Sequence, residues 1–353
     1  MINQFSIAGR QIGMDSSPYI IAEMSANHNG AIENAFAIID MAKRCGADAV
    51  KMQTYTPDTI TINSTKKDFQ INDGLWAGRT LHQLYDCAHT PWSWHRDLFD
   101  YAKSKCITIF STPFDFTAVD LLEELDAPAY KIASFECIDL PLIRRVASTG
   151  KPMIISTGMA NENEIEEAVD TALSNGSGAL TLLHCISSYP ASAKDYNLKT
   201  ISDMRTRYDV NVGLSDHTLD NTTAIASVAL GAVIVEKHVT LNKNGGGPDD
   251  SFSLDEKELK QLCNDTKKAW QALGRVNYEL TEGEIGNIKF RRSLYFVRKM
   301  KAGAIIRDND IRSIRPGYGL SPKYFDALIG TKVLHDVDAC TPVTAEVVDL
   351  PAD

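Results

Sequence analysis

The sequence predicts an α/β chain, a (β/α)8 TIM barrel followed by a small mostly-β domain. Three observations predict it. Short apolar segments rich in Val and Ile alternate with helical periodicities through eight β-then-α units. A G-x-G-x-x-G turn, which a doubly wound open sheet would favour, is missing. After Leu273 the pattern changes to brief strand-like pieces separated by turn signals.

Taken in order, the expected strands are 19–23, 48–53, 107–111, 127–132, 152–156, 179–184, 210–214 and 232–236. The expected helices are 31–45, 92–105, 116–125, 140–148, 162–174, 198–208, 221–231 and 254–273. The longest stretch without periodicity runs from Tyr55 to Leu81 and carries Asp58, Lys66, Lys67, Asp68, Gly74, Trp76 and Arg79. A loop of that length after the second strand reads as a functional cover over the strand ends, or else as an exposed insertion. The expected division is a barrel over 1–273, a polar, Gly-containing linker over 274–289, and a second domain over 290–353. That second domain has a basic face in Arg291, Arg292, Arg312 and Arg315.

The chain has 353 residues, with 44% hydrophobic and 23% charged residues, an ordinary globular balance. A net charge of -10 argues against nucleic acid or an anionic membrane as partner, but not against a small anion met by converging lysines. Seven scattered cysteines without a C-x-x-C pair read as reduced thiols. With no signal-peptide pattern and no apolar run long enough to span a bilayer, a cytoplasmic location is expected.

Barrels carry their chemistry at the carboxyl ends of the strands. Around Gly213–His238 two strand-like segments, joined by a run long enough for a crossover helix, each end in a polar cluster with one histidine. His217 and His238 at matching positions, with Glu236 and Asp216 beside them, look like half of a divalent-metal site; the plainer alternative is that each caps its strand. His28, in Asn27-His28-Asn29-Gly30, is a weaker candidate that a simple turn would explain. The remaining strand ends offer Glu23, Lys51, Gln53, Ser111, Thr112, Lys131, Ser134, Glu136, Ser156, Thr157, Ser187, Tyr189 and Ser215. Lysines and hydroxyls concentrated on one rim are what a phosphate and a carboxylate require. Glu23, Glu236 and Asp249 would orient metal-bound water or move protons. Trp92, Trp94, Phe114 and Phe135 are expected in the shell between barrel and helices.

The motifs I-A-E-M-S-A-N-H-N-G (21–30), K-M-Q-T-Y (51–55), S-T-P-F (111–114) and Y-K-I-A-S (130–134) resemble those of the sialic acid synthases. So do I-S-T-G-M (155–159), G-L-S-D-H (213–217), E-K-H (236–238) and G-P-D (247–249). R-R-S-L-Y (291–295) and R-P-G-Y-G (315–319) resemble the antifreeze-like (SAF) domain that follows their barrel. The resemblance implies a transferase that condenses phosphoenolpyruvate with an open-chain N-acetylated amino sugar, giving a 2-keto acid and phosphate. It implies Mn2+, or Mg2+ or Co2+, on His217 and His238, with Glu23 and Asp249 fixing water on the ion. It assigns the carboxylate of phosphoenolpyruvate to Lys51 and Thr112, and the phosphate to Lys131, Ser134, Ser156 and Ser215. Gln53, Ser187 and Tyr189 complete the substrate set, and Glu236 would orient or deprotonate the added water. It also implies a domain-swapped homodimer in which Arg315 touches the acetamido group.

Two motifs depart from the N-acetylneuraminate pattern: H-C-I-S-S-Y-P (184–190) has Ser187 where an asparagine is expected, and G-P-D-D has Asp250 where a histidine is expected. K-M-Q-T-Y-T-P-D (51–58) and G-L-W (74–76) are more similar to the pseudaminic acid branch, which takes 2,4-diacetamido-2,4,6-trideoxy-L-altrose. A manno-configured sugar, leading to N-acetylneuraminic or legionaminic acid, is the neighbouring alternative. More distant ones are another phosphoenolpyruvate-using aldose synthase, a class II aldolase, a Schiff-base enzyme using Lys51 or Lys131, and a non-catalytic binding protein.

Overall fold

A computed structural model describes residues 4–350. After a short hairpin of β1 (Phe5–Ile7) and β2 (Arg10–Ile12), eight parallel strands close into a barrel. They are β3 (Tyr19–Glu23), β4 (Ala49–Thr54), β5 (Thr108–Pro113), β6 (Tyr130–Ile132), β7 (Pro152–Ser156), β8 (Ala179–Cys185), β9 (Asn211–Ser215) and β10 (Ile234–His238). Each strand pairs with the next in sequence, and β10 pairs with β3, with His238 opposite Glu23.

The helices are α1 (Ile32–Cys45), α2 (Pro57–Ile60), α3 (Leu81–Ala88), α4 (His95–Ser104), α5 (Phe116–Glu124) and α6 (Leu140–Ala147). They continue with α7 (Glu162–Ser174), α8 (Thr200–Tyr208), α9 (Thr222–Ala229) and α10 (Glu256–Leu273). Their starts are written in the sequence. Capping boxes pair Asn161 with Glu164 and Asp255 with Glu258, satisfying amide donors that the first turns of α7 and α10 leave open. Gly46, at φ 88°, ends α1 in a left-handed conformation that a side chain would strain. The (β/α)8 expectation is met, each expected strand and helix appearing within a few residues.

Strand parity divides the barrel chemically. Tyr19, Ile21, Ala49, Phe110, Ala129, Ile154, Leu183 and Ile234 form an apolar cluster with Ile7 and Ile12 from the hairpin. Ile20, Ala22, Val50, Met52, Met153, Ile155 and Leu182 join the larger cluster that includes the helices' apolar faces. Moving two residues at a time along the first set reaches Glu23, Lys51, Gln53, Thr112, Lys131, Ser156, Cys185, Ser215, Glu236 and His238. The interior therefore has an apolar floor and a polar ceiling. Gly213 permits this closure, because a Cβ there would stand 2.4 Å from the Ile234 carbonyl oxygen and 2.7 Å from Leu183 Cδ2.

Two compact units emerge, 1–274 and 275–353. The second contains α11 (Glu282–Ile285), an antiparallel pair of β11 (Ser293–Phe296) with β12 (Ile311–Ile314), and α12 (Phe325–Leu328). Leu294, Phe296, Met300, Ile306, Ile311, Leu328, Val333, Val337, Val343 and Val348 make its core. Among the described residues no helix is long and apolar enough to cross a membrane.

Candidate active site

One cavity of about 330 Å³ opens over the polar ceiling. Glu23, Lys51, Gln53, Lys131, Ser134, Ser156, Ser215, His217, Glu236, His238, Asp249 and Tyr189 all line it. Thr112 joins through Lys51, whose ammonium donates to its hydroxyl at 3.1 Å. Lys51 also lies 2.7 Å from Glu23 Oε2 and 3.7 Å from Glu236 Oε1, and Lys131 lies 3.8 Å from the same Glu236 oxygen. Burial works against the charge of Lys51, but the carboxylates of Glu23 and Glu236 outweigh it and hold the ammonium charged. Burial likewise pushes the Glu236 carboxyl up, yet Lys131, Lys51 and His217 together bring it below the usual carboxylate range. Lys131 is lowered, chiefly by burial. Glu236 Oε2 is buried without a hydrogen-bond partner.

Ser134, Ser156 and Ser187 form a second group. The hydroxyls of Ser156 and Ser187 are buried without partners, while Ser134 Oγ accepts from the Gly158 amide at 3.2 Å. A Cβ on Gly158 would stand 2.3 Å from Ser187 Oγ and 2.8 Å from Ser134 Oγ. Unsatisfied buried hydroxyls cost free energy unless a ligand satisfies them. A cradle of hydroxyls next to Lys131, kept open by a glycine, suits a phosphate.

The two histidines come together as expected, with ring centroids 5.4 Å apart. His217 sets its Nδ1 against the Ile186 carbonyl oxygen at 2.8 Å, which fixes the tautomer with Nε2 as the free acceptor. His238 is mostly buried, with its side chain 11% exposed, its Nδ1 has no hydrogen-bond partner, and burial drives its pKa well below the ordinary value. Burial works against the charge of His217, but Cys185 and the Ile186 carbonyl outweigh it and raise its pKa, so an ion there would displace a proton from that ring. Imidazoles with lone pairs to offer are good ligands for a divalent cation. Asp249 Oδ2 lies 3.8 Å from His238 Nδ1 and accepts from the Ser25 hydroxyl at 2.5 Å. Gln53 donates to Glu23 Oε1 and to Ser25 Oγ, each at 3.0 Å. Among the described residues no three His, Cys, Asp or Glu side chains converge as a ready-made cage. The residues present fit an ion that His217 and His238 would hold and that would take its other ligands from outside the protein.

Several expectations need correction. Asp216 does not face the histidines, because it follows β9 and pairs with Lys237 at 2.9 Å on the outward side of β10. β10 starts two residues later than expected, so His238 is its last residue rather than a loop residue. His28 is buried, lies edge-on to Trp94, and is pushed down to about 4 by burial, all of which suits a structural histidine. Asp250 holds the loop around it, accepting from the Gly247 amide at 2.8 Å and from Asn29 at 3.0 Å. Phe114 and Phe135 line the cavity instead of the shell. Arg315 is an exposed residue just after β12 in the second unit.

Sequence reasoning gave no site role to Cys185 or Glu136, nor to the apolar lining of Tyr55, Ile60, Leu84, Tyr85 and Ala88. Cys185 was recoverable from parity. Glu136 stood in the rim without a role; its Oε2 is buried and unpartnered, and burial pushes its carboxyl up to about 7.

The NeuB family model matches residues 38–278 and the SAF domain model residues 291–348. A pseudaminic acid synthase of Campylobacter jejuni is 42% identical over 92% of this chain and 94% of its own. An N,N'-diacetyllegionaminic acid synthase of the same species is 37% identical, over 88% of this chain and 94% of its own. The crystal structure of the N-acetylneuraminic acid synthetase of Leptospira borgpetersenii, in complex with citrate, superposes with a TM-score of 0.73. It is 30% identical, over 82% of this chain and 97% of that one.

Proposed function

The chain belongs to the NeuB family, and we propose that it is a pseudaminic acid synthase. The reaction joins phosphoenolpyruvate, water and open-chain 2,4-diacetamido-2,4,6-trideoxy-L-altrose, releasing pseudaminic acid and phosphate. The observation that carries this reading is the meeting, in one cavity, of a lysine-flanked serine cradle, a carboxylate with an unused oxygen and two imidazoles with lone pairs to offer. The 42% identical synthase supports the choice of sugar.

In the proposed reaction Lys51 and Thr112 hold the carboxylate of phosphoenolpyruvate, and Lys131, Ser134, Ser156, Ser187 and Ser215 hold its phosphate. That pose directs carbon 3 toward the sugar aldehyde. A divalent cation held by His217 and His238, Mn2+ foremost with Mg2+ or Co2+ as alternatives, supplies Lewis acidity at the aldehyde oxygen when bound. Glu23 and Asp249 position water beside the imidazoles, with Gln53 and Ser25 orienting these carboxylates. As carbon 3 bonds to the aldehyde carbon, positive charge grows at carbon 2, and Glu236 takes a proton from the water that adds there. The resulting tetrahedral carbon expels phosphate by breaking its C–O bond, leaving the 2-keto acid. Tyr189, 4.4 Å from His217 between ring centroids, forms a side of the sugar site.

The proposal extends to a cytoplasmic homodimer in which the 290–353 SAF domain of one copy, joined by the 274–289 linker, brings Arg315 to the acetamido group in the 1–273 barrel of the other. Phosphate release with Mn2+ tests the sugar, comparing the altro sugar, its manno isomer and N-acetylmannosamine. Turnover confined to the altro sugar is expected; preference for a manno sugar moves the chain to the legionaminic or N-acetylneuraminic branch. No release with any of the three sinks the condensation.

A further inference from the structure

The cavity has two chemistries. Its strand-end side is ionic. The rest of its lining is largely apolar or aromatic and includes Ile60 on α2, Trp76 in the following loop, Leu84, Tyr85 and Ala88 on α3, and Phe114 after β5. Five of these six lie between β4 and β5, in a single excursion away from the barrel. That excursion is held in place at several points. The Trp76 indole N–H donates to the Pro248 carbonyl at 3.1 Å, fastening the loop to the segment after β10. Its ring lies 6.0 Å from that of Tyr189, which itself contacts His217. Tyr55 stands edge-on to Tyr85 at 5.6 Å and to Phe114 at 5.1 Å. A capping box between Thr80 and Gln83 fixes the start of α3.

We infer that an open-chain sugar with its aldehyde at His217 and His238 sets its far carbons against this lining, where Trp76 and Leu84 are specificity-determining residues that select a sugar ending in a methyl group over one ending in a hydroxymethyl group. The inference rests on the condensation proposed above, but not on the configuration of the sugar. Its physical basis is the cost of a hydroxyl buried against Leu84, which has no polar atom, and against Trp76, whose indole N–H is already given to Pro248. An apolar pocket rejects an added hydroxyl by a factor on the order of a hundred, which sets the size of the expected preference.

The test compares kcat/KM for the 6-deoxy altro sugar with that for its 6-hydroxy counterpart, in wild type, Trp76→Gln and Leu84→Asn. Wild type is expected to favour the deoxy sugar by on the order of a hundredfold. Each variant should bring that ratio below about tenfold while leaving KM for phosphoenolpyruvate unchanged. Trp76→Gln lies in a loop, so a folding defect in Leu84→Asn, seen by thermal melt, leaves the question decided by Trp76→Gln. A ratio that stays at the wild-type value in Trp76→Gln overturns the assignment. If wild type turns over neither altro sugar, the sugar named above is wrong; the same ratio measured on the 6-deoxy and 6-hydroxy manno pair then decides the lining separately.

Discussion

Replacing Lys237 by methionine removes a buried cation that organises the segment carrying His217. The Lys237 ammonium lies 2.9 Å from Asp216 Oδ2, 2.8 Å from the Thr218 carbonyl oxygen and 2.6 Å from that of Asp220. All three acceptors sit just beyond β9, so the side chain ties this turn to β10 from the outside while Glu236 and His238 point inward. Both partners are sealed from solvent, with the Asp216 side chain at 0% exposure and that of Lys237 at 2%. Methionine fills the space of the stem but leaves a buried carboxylate with only uncharged donors, among them the Thr218 amide and hydroxyl and the Tyr196 hydroxyl. Breaking a buried pair from one side costs about 3–5 kcal/mol, because the surviving charge stays desolvated. Asp216→Asn in the Lys237→Met background removes that charge and should recover at least about 1 kcal/mol, a coupling that a double-mutant cycle isolates. Urea unfolding, followed on a signal from the barrel unit, reads all four proteins. A loss below about 1 kcal/mol for Lys237→Met, or strictly additive single changes, would refute the reasoning.

Three further outcomes are expected. Gly158→Ala should raise KM for phosphoenolpyruvate by about tenfold or more while sparing KM for the sugar, because the added Cβ displaces the Ser134 and Ser187 hydroxyls; an unchanged KM removes these serines from the phosphate site. Glu136, pushed by burial from the ordinary 4.5 to about 7, binds its proton more tightly folded than unfolded, so its contribution is whole below pH 4.5 and lost as pH rises through 7. Glu136→Gln should therefore gain about 2 kcal/mol on wild type between pH 4.5 and pH 8, allowing for its partial exposure; a difference independent of pH would contradict this. Mixing inactive His217→Ala and Arg315→Ala chains should restore about a quarter of wild-type activity if Arg315 serves the partner's barrel, and none if it serves its own.

The barrel was legible because eight Val- and Ile-rich strands and their helices each carry a clear period, and parity then aims Glu23, Lys51, Ser156 and Glu236 inward without further information. The hairpin was not legible: three-residue strands carry no period, and Ile7 and Ile12 acquire their meaning only as the floor of a closed barrel. Asp216 was misplaced because it lies one residue past β9, where strand alternation ends and a buried lysine decides its direction. α3 and its apolar face were lost at the end of a polar loop, since Leu84 and Tyr85 look like any helix interior until the cavity wall they complete is seen. Phe114 and Phe135 show the same limit, as an aromatic side chain in the shell and one at the mouth have identical local sequence signals.

The central claim is a condensation that expels phosphate by C–O cleavage. Phosphoenolpyruvate carrying 18O in its bridging oxygen tests it directly, with mass analysis of both products after turnover with the altro sugar. The account predicts the label in the released phosphate, because water supplies the new oxygen at carbon 2. Label retained at carbon 2 of the keto acid would mean P–O cleavage and contradict the role given to Glu236.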